Sequence, residues 1–283
     1  MHSFYTSDGA RLAYTDEGEG LPLLCLAGLT RDSRDFDYLS HHLPDHVRLI
    51  RLDCRGRGRS SRTGPQTYTV AHEASDVIAL LDHLQIERAA ILGSSRGGLL
   101  AMVLGASHPD RVLGVCLNDV GPVIERNGLE RIATYVGVSP AVNTLEEIVE
   151  RLPRASPGFH GVPETRWAEE AVRHFDECDG HLQLTYDPDI RIALQSALEG
   201  PAHDLWPIFD ACRTLPAALI RAEHSDILSR ETADEMRRRR PDLLSVEVLN
   251  RGHVPFLDEP EAVGLIRLWI EQTRQRLNTA ATQ

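Results

Sequence analysis

Short hydrophobic runs alternate with longer amphipathic stretches through roughly the first 120 residues of the chain. The predicted buried strands cover residues 23–26, 47–52, 89–92 and 112–117. Residues 71–84 place their apolar side chains on one face of a helix. A hairpin is predicted ahead of these elements, turning near Asp8-Gly9. Alternation of this kind predicts βαβ units and a parallel sheet.

The pattern changes between residues 122 and about 207, where no strong strand run occurs. The predicted helices of this segment cover residues 129–136, 145–152, 164–175 and 190–198. Strands and helices alternate again beyond it, and an amphipathic helix closes the chain. We therefore expect an α/β core domain of residues 1–121 and 207–283, and an inserted helical cap of residues 122–206 that covers the active site.

One predicted strand leads directly into Gly93-Ser94-Ser95-Arg96-Gly97, which contains the pattern Gly-x-Ser-x-Gly. A strand that turns at once into a helix strains the residue at the turn and presents its hydroxyl to a substrate. Glycine on both sides removes side chains that would collide across the bend. Ser95 is therefore the predicted nucleophile, and the register of the pattern favours it over Ser94.

A serine hydroxyl needs a base to take its proton and an acid to orient that base. His253 follows a strand-like run and is the predicted general base. Asp226 follows another such run and is the predicted acid, although Asp119 also follows a strand and remains an alternative. Asp226 is preferred because residues 118–122 are also typical of a turn that enters the cap.

Four motifs in this order resemble the α/β-hydrolase superfamily over nearly the full length of the chain. They are the strand and loop at 23–29, Asp-x-Arg-Gly-x-Gly-x-Ser at 53–60, the serine turn, and the histidine loop at 252–256. The resemblance implies an α/β-hydrolase fold with a mostly parallel eight-stranded sheet flanked by helices. It also implies an oxyanion hole made by the backbone N–H groups of Leu29 and Arg96. Ala27-Gly28 stands where many members carry His-Gly, which bears on the geometry of that loop.

The whole chain is similar to enol-lactone hydrolases and meta-cleavage C–C hydrolases. We expect a serine hydrolase that cleaves a small carboxylic ester or lactone through an acyl-enzyme, with no cofactor or metal implied. C–C bond hydrolysis, acyl transfer or perhydrolysis, and a ligand receptor with little turnover are the alternatives. The Arg96 side chain binds either a substrate carboxylate or a neighbouring acid, whereas Asp53, Arg55 and Ser60 are expected to make structural hydrogen bonds near the oxyanion loop.

The composition limits which binding partners and which cellular compartment are expected. Hydrophobic residues make up 42% of the 283 residues, as in a globular protein. The formal net charge of -12 argues against nucleic acid and anionic membrane surfaces as partners. The five cysteines form no C-x-x-C pair, and no apolar leader or membrane span is evident. These features predict a cytoplasmic protein with a small-molecule substrate, and they leave homo-oligomerisation open.

Overall fold

The computed structural model describes residues 1–200 and 204–280. Its ten strands are β1 His2–Tyr5, β2 Arg11–Glu17, β3 Leu21–Leu26, β4 Val47–Leu52, β5 Ala89–Ser94, β6 Val112–Asn118, β7 Phe175–Cys178, β8 His181–Leu184, β9 Ala217–Ala222 and β10 Leu244–Val248. The α-helices are α1 Asp37–Ser40, α2 Val70–His83, α3 Arg96–Ser107, α4 Arg126–Tyr135, α5 Leu145–Ala155, α6 Glu164–His174, α7 Ile190–Glu199, α8 Trp206–Ala211, α9 Arg230–Arg239 and α10 Pro260–Ala280.

Eight strands form one sheet in the order β1-β2-β4-β3-β5-β6-β9-β10. β2 pairs antiparallel with both of its neighbours, β1 and β4. The other strands of the sheet pair in parallel, in the order β4, β3, β5, β6, β9 and β10. The mostly parallel eight-stranded sheet is therefore confirmed. Because β4 lies on one side of β3 and β5 on the other, the winding direction reverses between β3 and β5. In open α/β sheets, the carboxyl ends of strands at such a reversal are where ligands bind.

Helices cover both faces of this sheet, which explains why its central strands are continuous apolar runs rather than alternating ones. Along β5, Ile91 belongs to an apolar cluster that includes residues of α2, α3, α8 and α9 on one face. Its neighbour Leu92 belongs to a second cluster, on the other face, that includes residues of α10 and Phe36. Both side chains are fully buried, so the strand that leads into the serine turn is held rigidly on both sides.

The segment predicted to form a cap contains the helices α4 to α7, as expected, but also the antiparallel hairpin β7–β8. The expectation of helices alone was wrong at this point. Asp179 and Gly180 join the two strands with φ angles of 52° and 76°, the backbone that a tight Asp-Gly hairpin turn requires. Residues 201–203 of the predicted cap lie outside the described residues, and the division into core and cap stays a prediction.

Several contacts between this segment and the rest of the chain lie at the loops that follow strands. Arg31, after β3, bonds Glu170 of α6 at 2.7 Å. After β4, the N–H of Gly58 donates to the carbonyl of Thr185 at 2.9 Å. After β10, the ring of Phe256 lies 5.2 Å from that of Phe159. The described part of the segment therefore packs against the carboxyl ends of the parallel strands.

Candidate active site

The serine turn has the strained geometry that its sequence predicts. β5 ends at Ser94 and α3 begins at Arg96, so Ser95 alone makes the turn, with φ 51° and ψ −116°. A positive φ is unfavourable for a residue that carries a Cβ. Gly97 permits the turn because a Cβ at this position would overlap the carbonyl oxygen of Leu26 at the end of β3. The turn is thus packed directly against the neighbouring strand.

Three side chains form a continuous hydrogen-bonded line at this turn. The Nε2 atom of His253 lies 2.8 Å from the Ser95 hydroxyl oxygen. Its Nδ1 atom lies 2.8 Å from a carboxylate oxygen of Asp119. Because a carboxylate only accepts, Nδ1 carries the proton and Nε2 is free to accept one from Ser95. The arrangement is that of a nucleophile, a base and an orienting acid.

Asp119 is fully buried and its position is fixed by the sheet. It follows β6 immediately, with φ 55°, and its N–H donates to the carbonyl of Ile220 at 2.7 Å. Its second carboxylate oxygen accepts the N–H of Ala222 at 2.8 Å. One carboxylate thus ties β9 to the imidazole of His253.

Asp226 does not occupy this position, so the preference for it was wrong and the structure brings the alternative, Asp119, to His253. Asp226 pairs with Arg131 of α4 at 2.5 Å, and both side chains are about one third exposed. The physical reason is distance along the loop. Asp119 is the first residue after its strand, whereas Asp226 lies four residues beyond Ala222, where the loop has already reached α4.

The loop after β3 runs beside the serine. A Cβ built on Gly28 would lie 3.7 Å from the Cβ of Ser95. The carbonyl of Gly28 accepts the N–H of Arg31 at 3.2 Å, and in a trans peptide the N–H of Leu29 then points the opposite way. Arg96 is the first residue of α3, where backbone N–H groups have no acceptor within the helix. Within the described part of the chain, neither the Leu29 nor the Arg96 N–H donates a hydrogen bond, and their role as an oxyanion hole stays a prediction.

The side chain of Arg96 engages a neighbouring acid, which decides between its two open interpretations. Its Nε donates to Glu73 at 2.7 Å and its Nη2 donates to the carbonyl of Tyr68 at 3.0 Å. Glu73 is buried and also pairs with Arg57 at 2.6 Å. Burial by itself would raise the pKa of Glu73, but the Arg57 and Arg96 guanidinium groups outweigh it and hold the pKa below its usual value. Neither Glu73 nor Arg57 was predicted to support the site, because their pairing joins the loop after β4 to α2 and forms only in the folded chain.

The remaining polar residues of these motifs hold the loops together, as expected. Asp53 accepts two backbone N–H groups, at 2.8 and 2.9 Å. Arg55 pairs with Asp76 at 2.6 Å, and the Ser60 hydroxyl accepts the N–H of Ala13 at 2.9 Å. Ser94 is buried, and its hydroxyl accepts from the Asn118 amide at 2.9 Å, so it is not presented to a substrate.

Comparison with known proteins gives a consistent picture. The model of the alpha/beta hydrolase family matches residues 23–264. The chain is 32% identical to the 3-hydroxybutyrate-oligomer hydrolase of Cupriavidus necator, over 90% of this chain and 91% of that protein. It is 28% identical to a 2-(acetamidomethylene)succinate hydrolase of Mesorhizobium japonicum, over 87% and 86%. A crystal structure of an alpha/beta hydrolase from Novosphingobium aromaticivorans superposes with a TM-score of 0.89 at 37% identity, covering 95% of this chain and 97% of that one.

The described ranges contain neither a candidate membrane span nor a candidate metal site. No helix there combines the length and the apolar character needed to cross a membrane. No group of three or more His, Cys, Asp or Glu side chains there has the arrangement to hold a metal ion.

Proposed function

The chain belongs to the alpha/beta hydrolase family and is a hydrolase, and on this premise we propose that it cleaves a small carboxylic ester or lactone with Ser95 as nucleophile. One observation carries the proposal. Both nitrogens of the His253 imidazole are engaged at 2.8 Å, one by the Ser95 hydroxyl and the other by the Asp119 carboxylate. This geometry allows a proton to leave the serine as its oxygen attacks a carbonyl carbon.

The proposed reaction has two steps. His253 takes the proton of Ser95 at Nε2 while Ser95 attacks, and Asp119 stabilises the imidazolium that forms. The N–H groups of Leu29 and Arg96 hold the oxyanion of the tetrahedral intermediate. His253 then passes its proton to the leaving alcohol, which leaves Ser95 acylated. Water, deprotonated by the same imidazole, attacks the acyl-enzyme and regenerates the serine.

The substrate class that we propose is an ester of a short hydroxy acid. The full-length similarity to a hydrolase of 3-hydroxybutyrate oligomers supports this class. Local packing supports an apolar acyl group, because Leu29 packs with an apolar cluster drawn largely from α4 and α7, including Ile132, Ile190 and Leu194. The segment 122–206, acting as a cap, would then limit the length of the acyl chain above Ser95.

Initial rates on four compounds test the proposal: p-nitrophenyl butyrate, γ-butyrolactone, the linear dimer of 3-hydroxybutyrate, and a vinylogous diketone. We expect wild type to hydrolyse the dimer and at least one simple ester or lactone, and Ser95→Ala to lose about six decades of that turnover. Ser75→Ala is the control, since this exposed hydroxyl donates to the carbonyl of Ala71 within its own helix. Cleavage of the diketone alone would contradict the proposal, as would a Ser95→Ala enzyme that works within tenfold of Ser75→Ala.

A further inference from the structure

We propose that Glu73 is a positioning residue that holds both halves of the oxyanion hole in register through two arginines. The inference rests on the proposed function, because it concerns the backbone N–H groups of Leu29 and Arg96. These donors belong to separate segments, the loop after β3 and the start of α3. Glu73 lies on a third segment, the first turn of α2, and is linked by side chains to both.

The first link runs to the loop that carries Leu29. One oxygen of the Glu73 carboxylate accepts from Nη1 of Arg57 at 2.6 Å. Nε of the same guanidinium donates to the carbonyl oxygen of Leu29 at 2.8 Å. Arg57 and Glu73 are each only 1% exposed, so water does not compete for these bonds. The position of the Leu29 backbone therefore depends on the position of Glu73, through Arg57.

The second link runs to the helix start. The other oxygen of Glu73 accepts from Nε of Arg96 at 2.7 Å, and Nη2 of Arg96 is fixed on the carbonyl of Tyr68 at 3.0 Å. The backbone N–H of this same residue is the second proposed oxyanion donor. Since one planar carboxylate receives both arginines, it fixes the spacing of the two donor segments. Charge-assisted hydrogen bonds of this kind are short and directional, which suits a positioning role.

Spacing matters because an oxyanion donor is effective only within about 2.7–3.1 Å of the developing charge. A purely structural ion pair would instead stabilise the fold without affecting that distance. The chain contains such a pair for comparison, Arg55–Asp76, at 2.6 Å with 2% and 3% exposure. It joins the same two elements as Arg57–Glu73, but Arg55 continues to Asp8 at the surface rather than to the oxyanion loop.

The test compares Glu73→Gln with the matched control Asp76→Asn, with rates normalised to active sites titrated by a fluorophosphonate. Three quantities are measured: kcat and KM for p-nitrophenyl butyrate, and the inhibition constant of a butyl trifluoromethyl ketone, which forms a tetrahedral oxyanion on the serine. Glu73→Gln should lower kcat about 10- to 100-fold with KM nearly unchanged, since complete removal of a donor costs about 10²–10³. The ketone should bind more weakly to Glu73→Gln by a similar factor. Asp76→Asn should change neither kcat nor the inhibition constant by more than about threefold.

A second variant keeps the test decisive if Glu73→Gln does not fold. Arg57→Lys retains a positive charge beside Glu73 but has no second donor group for the Leu29 carbonyl, and it should weaken the ketone in the same way. Equal effects of the Glu73 and Asp76 variants, or loss through KM alone, would overturn the inference. An absence of Ser95-dependent turnover in wild type would instead overturn the proposed function, so the two failures are distinguishable.

Discussion

The change Asp119→Asn tests the assignment of the acid, because an amide has one acceptor where the carboxylate has two. In the native protein, the two oxygens accept the N–H of Ala222 and the Nδ1–H of His253. The N–H of Ala222 is fixed at the end of β9, so the amide oxygen should turn toward it and the NH₂ group toward the imidazole. His253 must then carry its proton on Nε2, the nitrogen that faces Ser95, and can no longer accept the serine proton.

The expected loss is about four decades in kcat, the size known for this tautomer error in a comparable triad. At about 1.36 kcal/mol per decade, this corresponds to about 5 kcal/mol of transition-state stabilisation. Asp226→Asn is the matched control. Asp226 and Arg131 are each 34% exposed, and ion pairs as exposed as this typically contribute about 0–1 kcal/mol to the stability of the fold. Because Asp226 pairs with Arg131 and not with His253, we expect Asp226→Asn to change kcat less than about fivefold, or about 1 kcal/mol in the barrier.

The assay is kcat/KM on p-nitrophenyl butyrate between pH 6 and 9, with chemical denaturation of each variant to establish that it is folded. An Asp226→Asn enzyme that is more damaged than Asp119→Asn would refute the reasoning. So would an Asp119→Asn enzyme that retains turnover within tenfold of wild type.

Further predictions concern stability. In urea titrations, Gly97→Ala should destabilise the protein by about 1–3 kcal/mol or more, because the added Cβ would overlap backbone atoms. Gly264→Ala should stabilise it by up to about 1 kcal/mol, because at this exposed helical site the added Cβ has no neighbour within 4 Å among the described residues. The reverse order of stabilities would contradict the packing of the serine turn. In hydrogen exchange, helices α4 to α7 should be less protected than β3 and β5, since these helices pack in small apolar clusters separate from the core of the sheet. Equal protection of the helices and the strands would contradict a cap that opens. Because the pKa of Glu73 is lowered, the stability that wild type gains over Glu73→Gln should be full above pH 4.5 and should shrink as the pH falls below it. Because burial raises the pKa of Asp76, the stability gained over Asp76→Asn should instead shrink as the pH rises above 3.8. Slopes of the same sign for the two variants would refute this assignment.

Sequence patterns predicted those parts of the fold and site that depend on local structure. Strands such as β5 are apolar runs whose neighbours along the chain are helices, and the serine turn is a five-residue pattern with glycine where backbone approaches backbone. The position of His253 followed from the order of the motifs, and the structure brings it to Ser95. For the strands and the serine turn the deciding residues are close together in the chain, whereas the order of the motifs extends over most of it.

The choice between Asp119 and Asp226 was not local, because both follow strands. It depends on which of the two loops passes beside His253 in the folded chain, and the residues adjacent to each aspartate do not specify that path. The pairing of Glu73 with Arg57 and Arg96 depends likewise on three segments that meet only in the folded chain. The hairpin β7–β8 differs, since Asp179-Gly180 between short strands is a recognisable turn signal that the helical pattern around it obscured.

Labelling of the nucleophile tests the central claim most directly. Wild type is titrated with a small fluorophosphonate, residual ester turnover is measured at each step, and the modified peptide is identified by mass spectrometry. The account predicts one phosphonyl group per chain, on Ser95, with turnover falling in proportion to labelling and no modification of Ser95→Ala. Phosphonylation at another residue, or a fully labelled protein that still hydrolyses the ester, would contradict it.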